Sequence, residues 1–152
     1  MLLRAFATCA LIAVCSSATS QQPKPVSVCD PAEEAFHKVN TWSDLREWEA
    51  QFNACDDGFI AEAIDSKVST LLTSNWDLLN QLKAEIAIHK EFEAQVFRHL
   101  GESISCSDCK LIVLNAEARC PPQCEALCAM IAMVLRKDAV PDCLPQSAKE
   151  KP

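Results

Sequence analysis

The chain has 152 residues, of which ten are cysteine and only two are glycine, and its formal net charge is −7. The acidic balance excludes a typical nucleic-acid-binding protein, because such a protein needs a basic surface to displace counterions from phosphates. Two glycines cannot supply a phosphate-binding loop or a dinucleotide-binding turn, and so few glycines also disfavour a turn-rich β-sandwich.

The N-terminal region, residues 1–20, has the pattern of a secretory signal peptide. Arg4 precedes a short apolar run, and small or polar residues follow it. The run is about ten residues long, whereas a membrane-spanning helix needs about 20. We therefore expect a secreted or periplasmic protein without a transmembrane segment, cleaved after Ala18 or Ser20. Cys15 offers the alternative of a lipoprotein, although Val14 before it is larger than the residue usually found there.

The remainder of the chain predicts a single all-α domain of six or seven short helices held by disulfide bonds. Residues 21–28 contain two prolines and are expected to form an extended leader. Residues 29–143 carry apolar side chains at three- and four-residue steps, which is typical of amphipathic helices. Residues 144–152 are expected to form an irregular tail. No segment shows the sustained two-residue alternation of a β-strand.

Residues that commonly start or end helices mark the boundaries in the N-terminal half. Asp30 is the expected N-cap of the first helix, and Thr41 is the expected N-cap of the second. A strongly amphipathic helix is predicted after Gly58, and it should end near Asn75.

Similar signals divide the C-terminal half. Two apolar stripes cover residues 76–86 and 92–100, and Gly101 is expected to close the second in a left-handed conformation. Ser105 with Asp108 predicts a capped helix start. The pair Pro121–Pro122 predicts a turn before the last helix.

Eight cysteines remain after residues 1–20, and an even number in an exported chain predicts a framework of disulfide bonds. Cys29 and Cys55 bracket the first two helices and are expected to be bonded to each other. A bond between Cys120 and Cys128 could hold a turn against a helix. The pairing of the other four is left open, and they are Cys106, Cys109, Cys124 and Cys143.

The cysteine spacing also permits two kinds of chemistry. Cys106 and Cys109 form a C-x2-C motif, and together with Cys120 and Cys124 they could supply four thiolates to a zinc ion. The C-x2-C pair could alternatively act in redox reactions, although this motif usually follows a β-strand. Because the export signal favours oxidation, we expect disulfide bonds and neither a metal nor a cofactor.

The other titratable residues show no recognised catalytic pattern, so the chain gives no positive evidence for an enzyme. His89 and His99 lie near several acids, but there is no H-E-x-x-H motif, and we interpret both as exposed or capping residues. We also assign a set of carboxylates to solvated helix faces, namely Glu47, Glu49, Glu62 and Glu85.

The tryptophans and one turn are the remaining candidates. Trp42, Trp48 and Trp76 lie on apolar stripes and should be core residues, or else line a small apolar pocket. Asp56 and Asp57 follow Cys55 in a turn, where they could cap the next helix. The alternative is that Asp56, Asp57 and Phe59 contact a protein partner, preferably a basic one.

The run C-D-D-G-F-I-A-E at residues 55–62 resembles a group of small exported bacterial helical proteins without assigned function. Phe92-Glu93, residues 96–100, Cys120 and Leu127-Cys128 contribute to the resemblance, which covers roughly residues 29–131. It implies an exported helical protein and carries over no catalytic residue. Its pattern does not include four of the cysteines, namely Cys106, Cys109, Cys124 and Cys143.

These features together favour an exported acidic helical protein that acts by binding. A periplasmic inhibitor or immunity-type protein that occludes a partner enzyme would suit a rigid acidic domain. The alternatives are a carrier of a small apolar ligand in a tryptophan-lined pocket and a cysteine-based redox or zinc protein.

Overall fold

The predicted helices are present in the computed structural model, which describes residues 29–101, 104–138 and 143. In this part of the chain the α-helices are α1 (Asp30–Phe36), α2 (Trp42–Phe52), α3 (Gly58–Ser74), α4 (Leu79–Ile88), α5 (Lys90–Arg98), α6 (Cys106–Ala118) and α7 (Glu125–Asp138). Single 3-10 turns at Asn53–Cys55 and Trp76–Leu78 precede α3 and α4. The prediction of an all-α fold with six or seven helices is confirmed. The predicted signal peptide, extended leader and irregular tail lie outside the described residues.

Two antiparallel helix pairs, α1 with α2 and α6 with α7, are the first and last elements of the part of the chain that the structure describes. A disulfide bond joins Cys29 before α1 to Cys55 after α2, with 5.6 Å between their Cα atoms. A second bond joins Cys106 at the start of α6 to Cys143 beyond the end of α7, with a Cα separation of 5.0 Å. Between the pairs, α2 packs on α4, α4 on α5 and α3 on α6. Every helix therefore has a neighbour against which its apolar face is buried.

The core is one hydrophobic cluster that contains side chains from all seven helices. The three tryptophans are part of it, as one of the two interpretations expected, and each is at most 4% exposed. Trp48 donates a hydrogen bond of 2.9 Å from its indole Nε1 to the carbonyl of Ala32. Its ring also meets Phe36 edge-on, with centroids 5.2 Å apart. These contacts hold α2 against α1 and satisfy the one polar atom of the Trp48 side chain.

Two predicted helix starts are confirmed by side-chain hydrogen bonds. The Thr41 hydroxyl accepts a bond of 3.2 Å from the Asp44 amide, and Asp44 Oδ2 accepts one of 3.0 Å from the Thr41 amide. The Asp44 carboxylate accepts hydrogen bonds from the Asn40 and Thr41 amides, and these bonds lower its pKa. The Ser105 hydroxyl accepts a bond of 3.1 Å from the Asp108 amide in the same way. Local sequence is sufficient to begin α2 and α6 at these residues.

Two other predicted caps are wrong. The carbonyl of Cys29 accepts bonds from the next turn, so Cys29 is the N-cap of α1 and Asp30 is its first helical residue. Gly101 does have a positive φ of 148°, but α5 already ends at Arg98. His99 is the C-cap, and its amide bonds back to the helix. This earlier end directs the His99 side chain toward α3 rather than toward solvent.

The turn between α6 and α7 is attached to the middle of the chain. Trp76 donates a hydrogen bond of 2.9 Å from its indole Nε1 to the carbonyl of Arg119. Lys83 Nζ donates one of 2.5 Å to the carbonyl of Gln123, a residue with a φ of 69°. These side chains bind backbone groups that the turn at Pro121–Pro122 leaves without helical partners.

Three disulfide bonds occur among the described cysteines, and the third joins Cys120 to Cys128 with a Cα separation of 6.1 Å. The expected bonds Cys29–Cys55 and Cys120–Cys128 are both present. Such bonds are typical of proteins that fold in a non-reducing environment. None of the helices in the described ranges has both the length and the apolar character needed to cross a membrane.

The disulfide bonds should stabilise the fold according to the length of chain they close. Replacing Cys29 and Cys55 together by serine opens a 26-residue loop and should lower the free energy of unfolding by about 3.5 kcal/mol. Replacing Cys120 and Cys128 opens an eight-residue loop and should cost about 2.5 kcal/mol. Urea denaturation measures both losses. A larger loss from the shorter loop would contradict an origin in chain entropy.

Candidate functional site

The best candidate for a functional site is the α2–α3 corner, which we define as residues 55–62. It begins at the disulfide-bonded Cys55 and contains Asp56, whose side chain is only 2% exposed. Asp56 Oδ2 accepts a hydrogen bond from the Arg98 guanidinium, and it lies 3.0 Å from His99 Nε2. The corner is therefore joined to the end of α5 by a buried ionic contact.

His99 lies between two carboxylates. Its Nδ1 is 2.7 Å from Asp65 Oδ1 on α3, and its Nε2 is 3.0 Å from Asp56 Oδ2. The His99 side chain is 6% exposed. A carboxylate can only accept, so both ring nitrogens must carry a proton for both contacts to be hydrogen bonds. Through these contacts His99 connects the end of α5 to Asp56 and to Asp65 on α3.

Glu49 on α2 adds a third carboxyl group to this buried region, and it is 6% exposed. Its Oε1 is buried and has no hydrogen-bond partner among the described residues, and the same holds for Asp56 Oδ1. Burial raises the pKa of Glu49, while the positive charges of His99 and Arg98 act in the opposite direction. We refer to Glu49, Asp56, Asp65, Arg98 and His99 as the polar cluster.

The polar cluster contains a set of atoms that could hold a cation. One ligand atom from each of Glu49, Asp56 and His99 can be chosen so that all three lie within 4.8 Å of one another. They come from α2, from the turn before α3 and from the end of α5. A shallow depression of about 200 Å³ opens beside them, and it is lined by Asp56, Asp57, Ala61, Asp65, Arg98 and His99.

The three residues predicted to contact a partner have different environments. Asp57 is exposed and caps α3, since its Oδ1 accepts a hydrogen bond of 2.7 Å from the Gly58 amide. Gly58 has a φ of 49°, which favours glycine at this first helical position. Phe59 is 66% exposed. The prediction is wrong for Asp56 as a surface contact, because its buried carboxylate is already paired with Arg98 and His99.

The interpretation of Glu49 as a solvated residue is also wrong. His99 does cap α5, as one of its two interpretations expected, but its side chain is buried and not exposed. Glu49 follows Leu45 by four residues and Trp48 by one, so the helical repeat places it at the edge of the apolar stripe of α2. His99 follows Val96 by three residues and precedes the buried Leu100. The helical periodicity therefore indicated that both residues lie near the core. Their polar side chains nevertheless suggested an exposed position.

Cys109 and Cys124 are not in disulfide bonds, contrary to the prediction, and both are buried free thiols. The antiparallel arrangement of α6 and α7 explains why. Cys124 lies at the turn of this pair, whereas Cys109 lies nine residues before the end of α6, about 13 Å along the helix axis. A disulfide needs Cα atoms within about 7 Å. The Cys124 thiol instead hydrogen-bonds Asn80 Oδ1 at 3.1 Å.

Neither alternative chemistry is favoured by these positions. Cys106 is bonded to Cys143 and Cys120 to Cys128, so the proposed set of four zinc-binding thiolates is divided between separate bonds. The C-x2-C motif has one oxidised and one free cysteine, which is not a redox pair.

The tryptophans do not line a pocket of the size expected for a carrier. Trp48 borders a depression of about 190 Å³, less than the 300 Å³ or more that is usual for a drug-sized ligand.

Comparisons with protein-family models, with curated proteins and with solved structures found no match. The resemblance to small exported bacterial proteins therefore stays a prediction. The function proposed below rests on the geometry of the α2–α3 corner and of the polar cluster.

The buried thiols provide a direct test of the cysteine arrangement. Burial raises the pKa of both Cys109 and Cys124, so at neutral pH each holds its proton more firmly than an exposed thiol and should resist alkylation. We expect iodoacetamide to label these two positions only after unfolding, as measured by peptide mass spectrometry without reduction. A peptide that links Cys109 to Cys124 would contradict the structure, and so would rapid labelling of the folded protein.

The raised pKa of Glu49 predicts a pH-dependent effect of the isosteric substitution Glu49→Gln. The folded state keeps this proton to a higher pH than the unfolded state, so wild-type stability decreases as pH rises above the ordinary value of 4.5 and through the raised value. Glutamine removes this loss. In the presence of EDTA, we expect the unfolding free energy of the variant, relative to that of wild type, to be higher at pH 7 than at pH 4. Urea denaturation measures this difference. The raised pKa of Glu49 would be refuted if the variant and wild type differed in unfolding free energy by the same amount at pH 4 and at pH 7.

Proposed function

We propose that this protein is secreted or periplasmic and acts by binding a protein partner through the α2–α3 corner. The observation that carries the proposal is the exposure of Phe59, which is 66% exposed on a corner that is otherwise firmly held. Large aromatic residues are enriched among those that dominate binding energy at protein interfaces. A phenylalanine that is mostly exposed at a helix start has no evident role in the fold itself.

The corner has little freedom to move when it binds. On one side Cys55 is bonded to Cys29, and on the other Asp56 is paired with Arg98 and His99. Asp57 caps α3 with its side chain, and its backbone N–H and C=O are bonded to Cys55 and Ile60. A surface that is ordered before binding loses less conformational entropy when it binds, and this supports a contact role for Phe59.

The charge around Phe59 favours a basic partner. Asp57 and Glu62 are both exposed, and Glu62 lies three residues after Phe59, on the same face of α3. The whole chain has a formal net charge of −7, which would steer a positively charged protein toward it. In the version that we favour, the partner is an enzyme whose basic cleft the corner occludes, as an inhibitor or immunity-type protein would do.

Site-specific photo-crosslinking in the organism that encodes the chain would test this proposal. A benzoylphenylalanine placed at position 59 should form an adduct with one basic protein. The control is the same probe at position 88, because Ile88 is also exposed, at 76%, but lies outside the α2–α3 corner. The adduct should be lost at high salt and in the double variant Asp57→Asn, Glu62→Gln. Asparagine keeps the cap of α3, so this variant should fold normally.

The purified partner then allows a quantitative measurement. Phe59→Ala should weaken its affinity about 30-fold, corresponding to about 2 kcal/mol, whereas Ile88→Ala should leave it unchanged. For the inhibitor version, the same substitution should relieve inhibition of the partner enzyme by a similar factor. Adducts that form equally at both positions, or that do not respond to charge and salt, would contradict the proposal.

A further inference from the structure

We propose that Glu49, Asp56 and His99 bind a divalent metal ion that accepts both nitrogen and oxygen ligands, with Zn²⁺ as the ion that fits best. The three side chains come from separate segments of the chain and converge to within 4.8 Å. This site is distinct from the proposed protein contact at Phe59, which lies on the outside of the same corner.

The first support is the pair of unpartnered oxygens. Glu49 Oε1 and Asp56 Oδ1 are buried and accept no hydrogen bond from any described residue. An unpaired carboxylate oxygen away from water costs free energy, and most buried polar atoms in folded proteins have a partner. A metal ion between Glu49 and Asp56 would satisfy both oxygens at once.

The second support is the orientation of His99. Histidines that bind metals usually donate their other ring N–H to a carboxylate or carbonyl, which fixes the ring and leaves the remaining nitrogen as the ligand. Asp65 Oδ1 lies 2.7 Å from His99 Nδ1 and supplies this contact. The remaining ring nitrogen, Nε2, would be the ligand atom, and it lies 3.0 Å from Asp56 Oδ2 and 3.4 Å from a guanidinium nitrogen of Arg98.

The spacing of the ligands also suits a metal of this size. Two ligands that are each about 2.1 Å from a tetrahedral zinc ion lie about 3.4 Å apart. One ligand atom from each of Glu49, Asp56 and His99 lies within 4.8 Å of the other two, so a small inward movement of these side chains would bring them to this spacing around an ion. Asp56 Oδ2 is bonded to Arg98, so Oδ1 is the oxygen left to bind the metal. The depression beside Asp56 and His99 leaves room for a water molecule as the fourth ligand.

The charges of the polar cluster favour a divalent ion. The cluster contains three carboxyl groups, from Glu49, Asp56 and Asp65, and one guanidinium, from Arg98. The carboxyl groups outnumber the guanidinium by two, which equals the charge of a divalent ion. The histidine nitrogen favours Zn²⁺ over Ca²⁺ or Mg²⁺, which prefer oxygen ligands alone.

Titration calorimetry of the full chain, first treated with EDTA and then dialysed, tests the proposal with ZnCl₂ as the probe. We expect one zinc ion per chain, no comparable binding of MgCl₂, and a zinc-dependent increase in Tm. Glu49→Gln should weaken zinc binding at least tenfold and abolish the increase in Tm. Asp65→Ala, which removes the acceptor that orients His99, should weaken binding about 10- to 100-fold.

Matched controls separate this site from other zinc-binding groups. Glu47→Gln alters a carboxylate on the same helix whose side chain is 70% exposed, and it should leave the affinity unchanged. His89→Gln alters a half-buried histidine outside the polar cluster, and the double variant Cys109→Ser, Cys124→Ser removes the free thiols. Both should also leave the affinity unchanged. Urea denaturation of each variant without zinc establishes that it is folded before its affinity is compared.

Three results would overturn the proposal. Wild-type protein that neither binds zinc nor gains Tm would show that the cluster is not a metal site. Equal affinity in wild type and Glu49→Gln would place the bound zinc elsewhere. Loss of binding in the His89 variant or in the double cysteine variant would assign it to an adventitious surface or thiol site.

Discussion

The buried carboxylate of Asp56 is the constraint on which the arrangement of the α2–α3 corner depends. A carboxylate removed from water is tolerated only when it is paired, and its two partners come from the end of α5, 42 and 43 residues later in the chain. α5 must therefore end beside the start of α3, with His99 facing inward. Phe59 follows Asp56 by three residues and is exposed on the outside of the same corner. The interior cluster and the exposed surface are therefore parts of one short segment.

The helices could be predicted from the sequence because their signals are local. The spacing of Ile64, Val68 and Leu71 defines the buried face of α3, and the hydroxyl of Thr41 or Ser105 is enough to begin a helix. The polar cluster could not be predicted in this way, because its members are brought together by tertiary packing. Glu49 and His99 each occupy a position at the edge of an apolar stripe, and such a position shows that a polar side chain is near the core but not which partner it meets there.

The cysteines illustrate the same distinction between local and distant information. Cys120 and Cys128 are separated by eight residues across a turn, and Cys29 and Cys55 bracket one helix pair, so their bonds follow from the order of the elements. The bond between Cys106 and Cys143 requires knowing that α6 and α7 are antiparallel and nearly equal in length. An even number of cysteines suggested that all would be bonded, yet Cys109 and Cys124 lie at opposite ends of this helix pair.

The hydrogen bonds from Trp76 and Lys83 to the turn between α6 and α7 have a consequence for how the protein opens. These donors lie in the middle of the chain, and the carbonyls that they bind belong to Arg119 and Gln123, 43 and 40 residues away. The C-terminal helix pair cannot move away without breaking both bonds and exposing the indole of Trp76. Its separation should therefore require nearly the free energy of complete unfolding, so that the backbone amides of α6 and α7 exchange with solvent together with those of the central helices, as one cooperative unit.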